Sequence, residues 1–338
     1  MNNKSELPYL RGMDFSSRMA RKNPLLHVRM FLGNLCNLRC NYCFTDSFST
    51  TRGANANTVV DADEYFDDTL PMRERLSILY TLARHYGTRT VLINGKGEPT
   101  MEPGLDRLIR GLNAMNLTPV LATNGTSLAA ADGYNWQYMY DHGVSLLLKM
   151  NMRGNAIGES AIFGLRSDSA TYQKIHDITH TDAGMAWVRR FAKNRAIAFN
   201  CVLMGQTAGD NGAPAVLRFC RENGVVPWFD WYIGGGRGGG SFAVPPVRRR
   251  ELIQRLTDID AEYGLRHDWT DGMNLGCTPE MNQNFVQITD HGRIFLTTKL
   301  GMQSINASMR YGIGCRDCDS FDRCVRRNIN NLYRGRTR

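Results

Sequence analysis

The sequence has no apolar run that approaches the roughly 20 residues of a membrane-spanning helix. Its first six residues also lack the apolar segment of a secretory signal peptide. From these absences we expect a cytoplasmic protein without membrane contact. Cysteines in that compartment usually bind metal or react instead of forming disulfides. The nine cysteines of this chain are therefore expected to mark chemistry.

Acidic residues are missing from the last fourteen positions, residues 325–338, which contain five arginines. Much of the net charge of +9 therefore lies at this end, and the body of the chain is only mildly basic. An arginine-rich end could contact phosphate, nucleic acid or an acidic peptide, but a solvated tail is the simpler interpretation. The charge distribution does not favour nucleic acid as a partner.

Three cysteines occur within eight residues, at Cys36, Cys40 and Cys43, in the segment 33–44 (GNLCNLRCNYCF). A structural zinc ion takes four protein ligands, and no neighbouring Cys or His supplies the fourth. Three cysteine ligands suit an iron-sulfur cluster in which one iron stays free for another ligand. Residues 27–32, directly before it, predict a strand. The alternatives are buried structural cysteines, or a redox pair with a third cysteine nearby.

A glycine-containing segment, residues 95–100 (GKGEPT), follows a predicted strand. Gly95 and Gly97 allow the backbone to approach a ligand closely. Glu98 lies where the strand ends, well placed to accept a hydrogen bond from an ammonium group. An ordinary turn from strand to helix is the alternative interpretation of this segment.

Six predicted strands alternate with helices along the first 264 residues. This order predicts an α/β fold, a partial (β/α)6 barrel whose curved parallel sheet is open on one side. Polar residues follow the buried strands, as expected where one edge of the barrel carries the site. We expect residues 1–26 to wrap around the outside and residues 172–195 to be helical. The strands are predicted at residues 27–32, 90–93, 119–125 with its turn, 144–151, 196–204 and 226–233.

A second glycine-rich segment, residues 234–240, follows the last of these strands. Its amides could bind a cofactor or an anionic substrate as a backbone nest, or the segment could serve as a lid or hinge. It lacks the strand and helix context, and the downstream acid, of a dinucleotide-binding motif.

The spacing of the first three cysteines, with the aromatic Tyr42 before the last, resembles the signature of the radical S-adenosylmethionine (SAM) enzymes. The resemblance implies a [4Fe-4S] cluster on these cysteines whose open iron chelates the amino and carboxylate groups of SAM, with Tyr42 beside the adenine. It also implies a second SAM-binding segment after the second barrel strand, where Lys96 interrupts the usual pair of glycines. The further residues implied to bind SAM are Gly95, Gly97 and Glu98 at its amino group, and Asn124, Lys149 and Asn151 near its ribose and carboxylate.

Four more cysteines follow residue 264, at Cys277, Cys315, Cys318 and Cys324. Together with a predicted β-hairpin at residues 285–296, they resemble the SPASM and Twitch extensions of radical SAM enzymes, which hold auxiliary iron-sulfur clusters. Two ligands of the full SPASM pattern are replaced here, by Thr297 and Asn328. The resemblance therefore implies one auxiliary [4Fe-4S] cluster on the last three cysteines, completed by the first. A structural zinc ion on the same four thiols is the alternative.

These segments divide the chain into an N-terminal extension (residues 1–26), a barrel (27–264) and a small C-terminal auxiliary-cluster domain with a basic tail (265–338).

Cys277 has a second interpretation, as a thiol that returns a hydrogen atom to a substrate radical in the manner of radical SAM epimerases. Cys201, in the fifth predicted strand, could do the same if its side chain points into the barrel. A structural core residue is the simpler interpretation of Cys201.

The resemblance implies an enzyme that cleaves SAM reductively to a 5′-deoxyadenosyl radical, with electrons from a partner such as flavodoxin or ferredoxin. Because no separate peptide-recognition module precedes the cysteines, we expect a small metabolite of sugar, aminocyclitol or nucleoside type, as in antibiotic biosynthesis. The expected outcome is epimerisation or dehydrogenation. Modification of a ribosomally made peptide, by a crosslink or an epimerisation, is one alternative. A zinc-containing nucleic-acid-binding protein is the non-enzymatic alternative.

Overall fold

In the computed structural model the described residues are 10–13, 26–33, 35–43, 48–49, 70–232, 237, 242–267 and 269, with the backbone of three strands between residues 285 and 304. Within these residues, six parallel strands of one sheet alternate with helices, which confirms the predicted α/β partial barrel. The six are β1 (His27–Leu32), β4 (Thr90–Gly95), β5 (Thr118–Thr123), β6 (Ser145–Lys149), β7 (Ile197–Leu203) and β8 (Val226–Trp231). A short separate pair is formed by β2 (Leu35–Cys36) and β3 (Phe48–Ser49).

The six barrel strands are hydrogen-bonded in the order β1, β4, β5, β6, β7, β8. Their pairings are parallel, so that His27 lies level with Thr90 near one edge and Leu32 with Gly95 near the other. The carboxyl ends of all six strands therefore share one edge of the sheet, where the loops of neighbouring strands meet. This edge is where the sequence places the polar residues of the predicted site.

Helices cover the outside of the sheet, and the one predicted at residues 172–195 is divided in two. Residues 172–195 do not form one helix, because Thr181 is extended (φ −115°, ψ 151°) and its side chain caps the following helix at the N–H of Gly184. None of the helices in the described part of the chain combines the length and apolarity needed to cross a lipid bilayer. The helices are α1 (Met72–Tyr86), α2 (Leu105–Ala114), α3 (Trp136–Asp141), α4 (Ala156–Ile162), α5 (Ala170–His180), α6 (Asp182–Ala192), α7 (Ala213–Asn223) and α8 (Pro246–Glu262).

Side chains alternate between the two faces of the barrel strands, and each face has its own core. On β6, Leu146 and Leu148 pack with the helices, whereas Leu147 belongs to a separate cluster on the inner face. This alternation follows from the two-residue period of a strand. The inner cluster also contains Leu92, Val120, Ala198, Val226 and Trp228.

Residues 10–13 do not wrap the outside of the barrel, as the sequence led us to expect, but pack against its inner face. Leu10 and Met13 are fully buried in the inner cluster. The carbonyl of Gly12 accepts a hydrogen bond from Thr90 Oγ1, at the amino-terminal end of β4. The Arg11 guanidinium donates to the Gly143 carbonyl at 2.7 Å, just before β6. This short segment therefore closes the amino-terminal end of the barrel.

The predicted hairpin after the barrel is confirmed, and it extends the barrel sheet. Strand β9 (Phe285–Ile288) pairs antiparallel with β10 (Ile294–Thr298), and a third strand, β11 (Gly301–Ser304), which the sequence did not predict, pairs with β10. Strand β9 lies parallel to β1, with Val286 level with Val28. Cys277, Cys315, Cys318 and Cys324 lie outside the described residues. The auxiliary cluster and the domain bounds therefore remain predictions.

Candidate active site

The three N-terminal cysteines lie in the loop that follows β1, at the carboxyl edge of the barrel. Cys36 ends the short strand β2 and is buried, whereas Cys40 and Cys43 are half-buried. The N–H of Cys43 donates to the carbonyl of Cys40 at 3.2 Å, which closes a turn between these two residues. The N–H of Leu38 approaches the Cys36 sulfur at 3.4 Å.

The segment after β4 is hydrogen-bonded directly to this cysteine loop. The N–H of Gly97 donates to the Gly33 carbonyl at 3.1 Å, and the N–H of Glu98 donates to the Leu35 carbonyl at 2.7 Å. A side chain at Gly95 would place its Cβ 2.4 Å from the Gly97 carbonyl oxygen, so the turn requires glycine there. The sequence predicted that these two segments act together, and the geometry brings them into contact.

The base of the cysteine loop is held by a buried ion pair. Glu102 accepts the N–H of Gly33 at 3.1 Å, and its other carboxylate oxygen lies 3.4 Å from Arg75 Nη1. Both side chains are almost fully buried, so removal of one would leave an uncompensated buried charge. This pair, which joins α1 to the segment before α2, was not predicted from the sequence.

Glu98 is buried, and both of its carboxylate oxygens accept hydrogen bonds within the protein. Oε1 accepts from the N–H and hydroxyl of Thr100 and from the hydroxyl of Thr123, and Oε2 accepts from the N–H of Asn124 at 2.8 Å. Burial raises the pKa of Glu98, while these hydrogen bonds lower it. Since a carboxylate offers about four acceptor positions, Oε2 retains room for a further donor.

Asn124 joins the loop after β5 to the cysteine loop. Its amide donates to Asn37 Oδ1 at 2.9 Å, and Asn37 in turn donates to Thr126 Oγ1 at 2.7 Å. Asn124 Oδ1 accepts from both the N–H and the hydroxyl of Thr126. Three predicted segments, those of Cys36, Glu98 and Asn124, are thus linked by hydrogen bonds into one assembly.

Tyr42 and Asn151 contact each other, which the sequence did not predict. The Asn151 amide donates to the Tyr42 hydroxyl at 3.2 Å, and its Oδ1 accepts the N–H of Val202 at 3.1 Å. Asn151 is fully buried, so it positions the Tyr42 ring and ties β7 to the loop after β6. Burial is the main cause that raises the pKa of Tyr42.

Lys149 lies at the end of β6 and begins a polar chain across three strands. Its Nζ donates to Asn200 Oδ1 on β7, and the Asn200 amide donates to Asp230 Oδ2 on β8 at 2.7 Å. Asp230 Oδ1 also lies 3.4 Å from the indole nitrogen of Trp228. Burial lowers the pKa of Lys149, and the nearby charge of Asp230 opposes that effect. The sequence identified Lys149 but missed its two partners.

Glu159 of α4 is a second polar residue that the sequence did not single out. Its carboxylate accepts from the N–H of Asn151 and from the hydroxyl of Tyr172, each at 3.2 Å. Burial raises the pKa of Glu159 to about 7. The end of α4 also supports the cysteine loop, because the Ile162 carbonyl accepts the N–H of Asn41 at 3.0 Å. In the sequence, the only indication of Glu159 is that this polar residue interrupts a short amphipathic segment.

Cys201 and Cys220 are both fully buried on the helix-facing side of the sheet. The prediction of Cys201 as a hydrogen-atom donor required a side chain that points into the barrel. Its neighbours on β7 in the same core are Phe199 and Leu203, and its thiol lies 3.5 Å from the Asn151 carbonyl. This position favours the structural interpretation. The donor role of Cys277 lies outside the described residues.

Comparison with protein-family models gives no match. In sequence, the chain is 30% identical over 107 residues to an S-adenosylmethionine-dependent nucleotide dehydratase of Flammeovirga pacifica, a match that spans 32% of this chain and only 33% of that protein. It is 24% identical over 289 residues to the GTP 3′,8-cyclase of Staphylococcus carnosus (strain TM300), spanning 80% of this chain and 76% of the cyclase.

Among solved structures, SuiB of Streptococcus suis shares the fold. SuiB bound to S-adenosylmethionine has a TM-score of 0.54 at 15% identity, over 88% of this chain and 72% of SuiB. SuiB bound to its precursor peptide SuiA has the same TM-score and identity, over 85% of this chain and 64% of SuiB, so the chain spans less than two thirds of that protein. In sequence this chain is thus similar to an S-adenosylmethionine-dependent protein, and in fold to a protein that binds S-adenosylmethionine.

The three cysteines fit the ligand set of a radical SAM cluster. Burial raises the pKa of Cys40, and the charges of Cys36 and Cys43 raise it further, so the three thiols lie near one another. Among the described residues, no group of three His, Cys, Asp or Glu side chains could hold a single metal ion. Cysteine thiolates are the usual ligands of iron-sulfur clusters. The donor chemistry and the proximity of the three thiols thus suit a cluster.

Proposed function

We propose that this protein is a radical SAM enzyme whose site is the carboxyl edge of the barrel. The observation that carries the proposal is the hydrogen-bonded assembly of three loops, those of Cys36, Glu98 and Asn124. The loops come from three adjacent strands, and each contains residues that the sequence assigned to the same cofactor. The SAM-dependent relative in sequence and the fold shared with SAM-bound SuiB support it independently.

In this proposal Cys36, Cys40 and Cys43 hold a [4Fe-4S] cluster with one iron open for SAM. When bound, the cluster and SAM supply a 5′-deoxyadenosyl radical that removes a hydrogen atom from the substrate. Glu98 Oε2 retains acceptor capacity for the SAM ammonium, and Gly95 and Gly97 let the backbone approach it closely. The buried surroundings of these residues exclude water from a reactive species.

The remaining assigned residues act through position. Asn124 is hydrogen-bonded to the cysteine loop and lies, in this proposal, near the ribose of SAM. Asn151 orients Tyr42, which this proposal assigns to the adenine. Lys149 is the cation that the sequence assigned to the predicted carboxylate region. Its charge also acts on the Cys40 sulfur, which supports a position close to the proposed cluster.

We propose a small polar metabolite of sugar, aminocyclitol or nucleoside type as the substrate. The support lies in the inner face, where Lys149, Asn200 and Asp230 form a connected set of donors and acceptors at the carboxyl edge. Asp230 is half-buried, so its carboxylate is available to hydroxyl or amine groups of a substrate. Hydrogen-bonding groups of this kind give a site its specificity for polar substrates.

A ribosomally made peptide is the second candidate substrate. The fold that this chain shares with SuiB accommodates the precursor peptide SuiA in that protein. The fold is therefore compatible with a peptide whose modified residue enters the barrel from its carboxyl edge. The same inner-face groups would then bind the polar side chain of that residue.

For the C-terminal cysteines we propose one auxiliary [4Fe-4S] cluster on Cys315, Cys318 and Cys324, with Cys277 as its fourth ligand. A cluster with four thiolate ligands can accept or relay an electron but has no open iron for a substrate. Cys277→Ala should lower the iron content if Cys277 is a ligand. If the iron stays and only product formation fails, Cys277 is the hydrogen donor.

The experiment that tests the function starts with protein reconstituted anaerobically with iron and sulfide. We expect iron-sulfur absorbance, and 5′-deoxyadenosine formation on addition of SAM and a reductant such as flavodoxin, ferredoxin or dithionite. Colourless protein that retains zinc instead of iron would refute the proposal and favour the nucleic-acid-binding alternative.

A second experiment, in which metabolite and peptide pools are incubated with the enzyme in deuterated water, identifies the type of reaction. Deuterium gain without oxidation indicates an epimerase, and loss of two hydrogens indicates a dehydrogenase.

A further inference from the structure

Arg237 lies within the glycine-rich segment 234–240 and contacts the cysteine turn through two separate groups. Its main-chain N–H donates to the Cys43 carbonyl at 2.9 Å. Its guanidinium Nη1 donates to the Cys40 carbonyl at 3.1 Å, across 197 residues of sequence. The two contacts join the loop after β8 to the loop after β1, which come from the two opposite ends of the row of six barrel strands.

The Cys40 carbonyl is also the acceptor that closes the turn, since it accepts the N–H of Cys43 at 3.2 Å. Arg237 therefore binds the same oxygen as the internal hydrogen bond of the turn, and both lone pairs of that oxygen are used. Because the turn sets the spacing between Cys40 and Cys43, its restraint fixes two of the three proposed cluster ligands relative to each other.

The charge of Arg237 acts on the same residues. Its guanidinium lies 3.1 Å from the Cys40 carbonyl oxygen, so its positive charge stands beside a proposed cluster ligand. A positive charge beside an iron-sulfur cluster stabilises the reduced state, which carries the more negative charge. A single side chain thus combines a geometric restraint with an electrostatic effect on the proposed cluster.

We propose that Arg237 is a positioning residue for the cysteine turn and that its charge raises the reduction potential of the cluster. The proposal deepens the proposed function, because it rests on a cluster bound by Cys40 and Cys43. It also gives a role to the glycine-rich segment that the sequence left open. The contact is made by the residue at the centre of this segment, through its main chain and its charge.

The first test uses the full chain without a cluster, so that it does not depend on cluster assembly. Hydrogen exchange at residues 40–43 is measured by mass spectrometry in the wild type, Arg237→Gln and Arg237→Lys. Loss of a hydrogen bond to a charged donor should accelerate exchange in Arg237→Gln by about tenfold or more, with partial rescue in Arg237→Lys. The matched control is Arg166→Gln, an exposed arginine whose pairing with Asp168 lies on the surface. The control should exchange at the wild-type rate.

The second test measures the reduction potential of the reconstituted cluster by a redox titration followed with electron paramagnetic resonance. We expect a more negative potential in Arg237→Gln, and a potential close to that of the wild type in Arg237→Lys and Arg166→Gln. Wild-type exchange and an unchanged potential in Arg237→Gln would overturn the proposal. If the wild type itself assembles no cluster, the proposed function fails first. The exchange experiment then still decides whether Arg237 restrains the turn.

Discussion

The two ends of the barrel's inner face carry opposite kinds of side chain. At the amino-terminal end, Leu10 and Met13 pack against apolar residues of the strands. At the carboxyl end, Lys149, Asn200 and Asp230 connect three strands by hydrogen bonds. The same strands form both ends of the barrel, so the difference lies in which residues occupy the amino-terminal and the carboxyl ends of each strand. One end of a parallel barrel serves stability and the other serves chemistry.

This contrast separates two kinds of loss that mutations should cause. A change at the apolar end removes buried surface and lowers the free energy of unfolding, but it leaves the site's reactive groups in place. A change at the polar end removes a reacting or recognising group while most of the buried surface stays. Each variant below tests whether the two ends can be separated in this way.

The largest expected effect is on SAM cleavage in Cys36→Ala. Loss of one of three thiolates should prevent stable assembly of the proposed cluster, so that 5′-deoxyadenosine formation falls to the level without enzyme. Cys220→Ala is the matched control, because Cys220 is also a buried thiol but lies on α7 in the helix-facing core. The amount of 5′-deoxyadenosine is measured by chromatography after reduction. Turnover that survives in Cys36→Ala would contradict the cluster assignment.

At the opposite end, Leu10→Ala should lower the free energy of unfolding by about 2 to 5 kcal/mol, the usual cost of a cavity at a fully buried leucine. Val247→Ala, at an exposed apolar position of α8, should change it by less than about 0.5 kcal/mol. Both values come from urea denaturation. If Leu10→Ala is as stable as the control, residues 10–13 do not contribute to the barrel core.

Glu159, which lies next to the polar end, should make the free energy of unfolding depend on pH. Its pKa is raised to about 7 by burial, so the carboxyl is neutral in the folded protein at low pH, and stability is lost as the pH rises through the folded pKa. Glu159→Gln removes this titration. The variant should therefore gain about 2 kcal/mol relative to the wild type between pH 5 and pH 8. Denaturation at both pH values tests this, and a constant difference would show that Glu159 does not titrate there.

The smallest expected effect is in Asp230→Asn, which tests substrate recognition. The variant keeps the shape of the side chain but loses the charge, so kcat/KM for the substrate should fall about tenfold. SAM cleavage without substrate should persist, because Asp230 is not one of the proposed cluster ligands. Asp258→Asn, at an exposed position of α8, is the control. Equal losses in substrate turnover and in substrate-free SAM cleavage would place Asp230 in cofactor binding instead.

Much of the fold could be read from sequence because strand and helix periods are local properties. The segments that became β1, β4, β7 and β8 are apolar runs between turn residues, and their bounds were predicted to within a few residues. The break at Thr181 was missed, because the helical pattern continues on both sides of it. The extended backbone of Thr181 and its capping hydrogen bond to Gly184 mark the start of a new helix.

The site was only partly predictable, for a related reason. Cys36, Cys40 and Cys43 lie close in sequence, so their spacing alone indicates a shared ligand. Asn200 and Asp230 lie in apolar strands, where an isolated polar residue has no distinguishing spacing. Their link to Lys149 depends on the register of three parallel strands.

The sequence by itself determined the order of strands and helices and the close spacing of the first three cysteines, from which the cluster is proposed, since both depend on residues close along the chain. The tertiary structure decided which distant residues complete the site and that residues 10–13 fill the barrel's amino-terminal end. Those contacts join positions up to nearly 200 residues apart. They form only when the parallel sheet brings the strand ends, and the loops that follow them, to one edge.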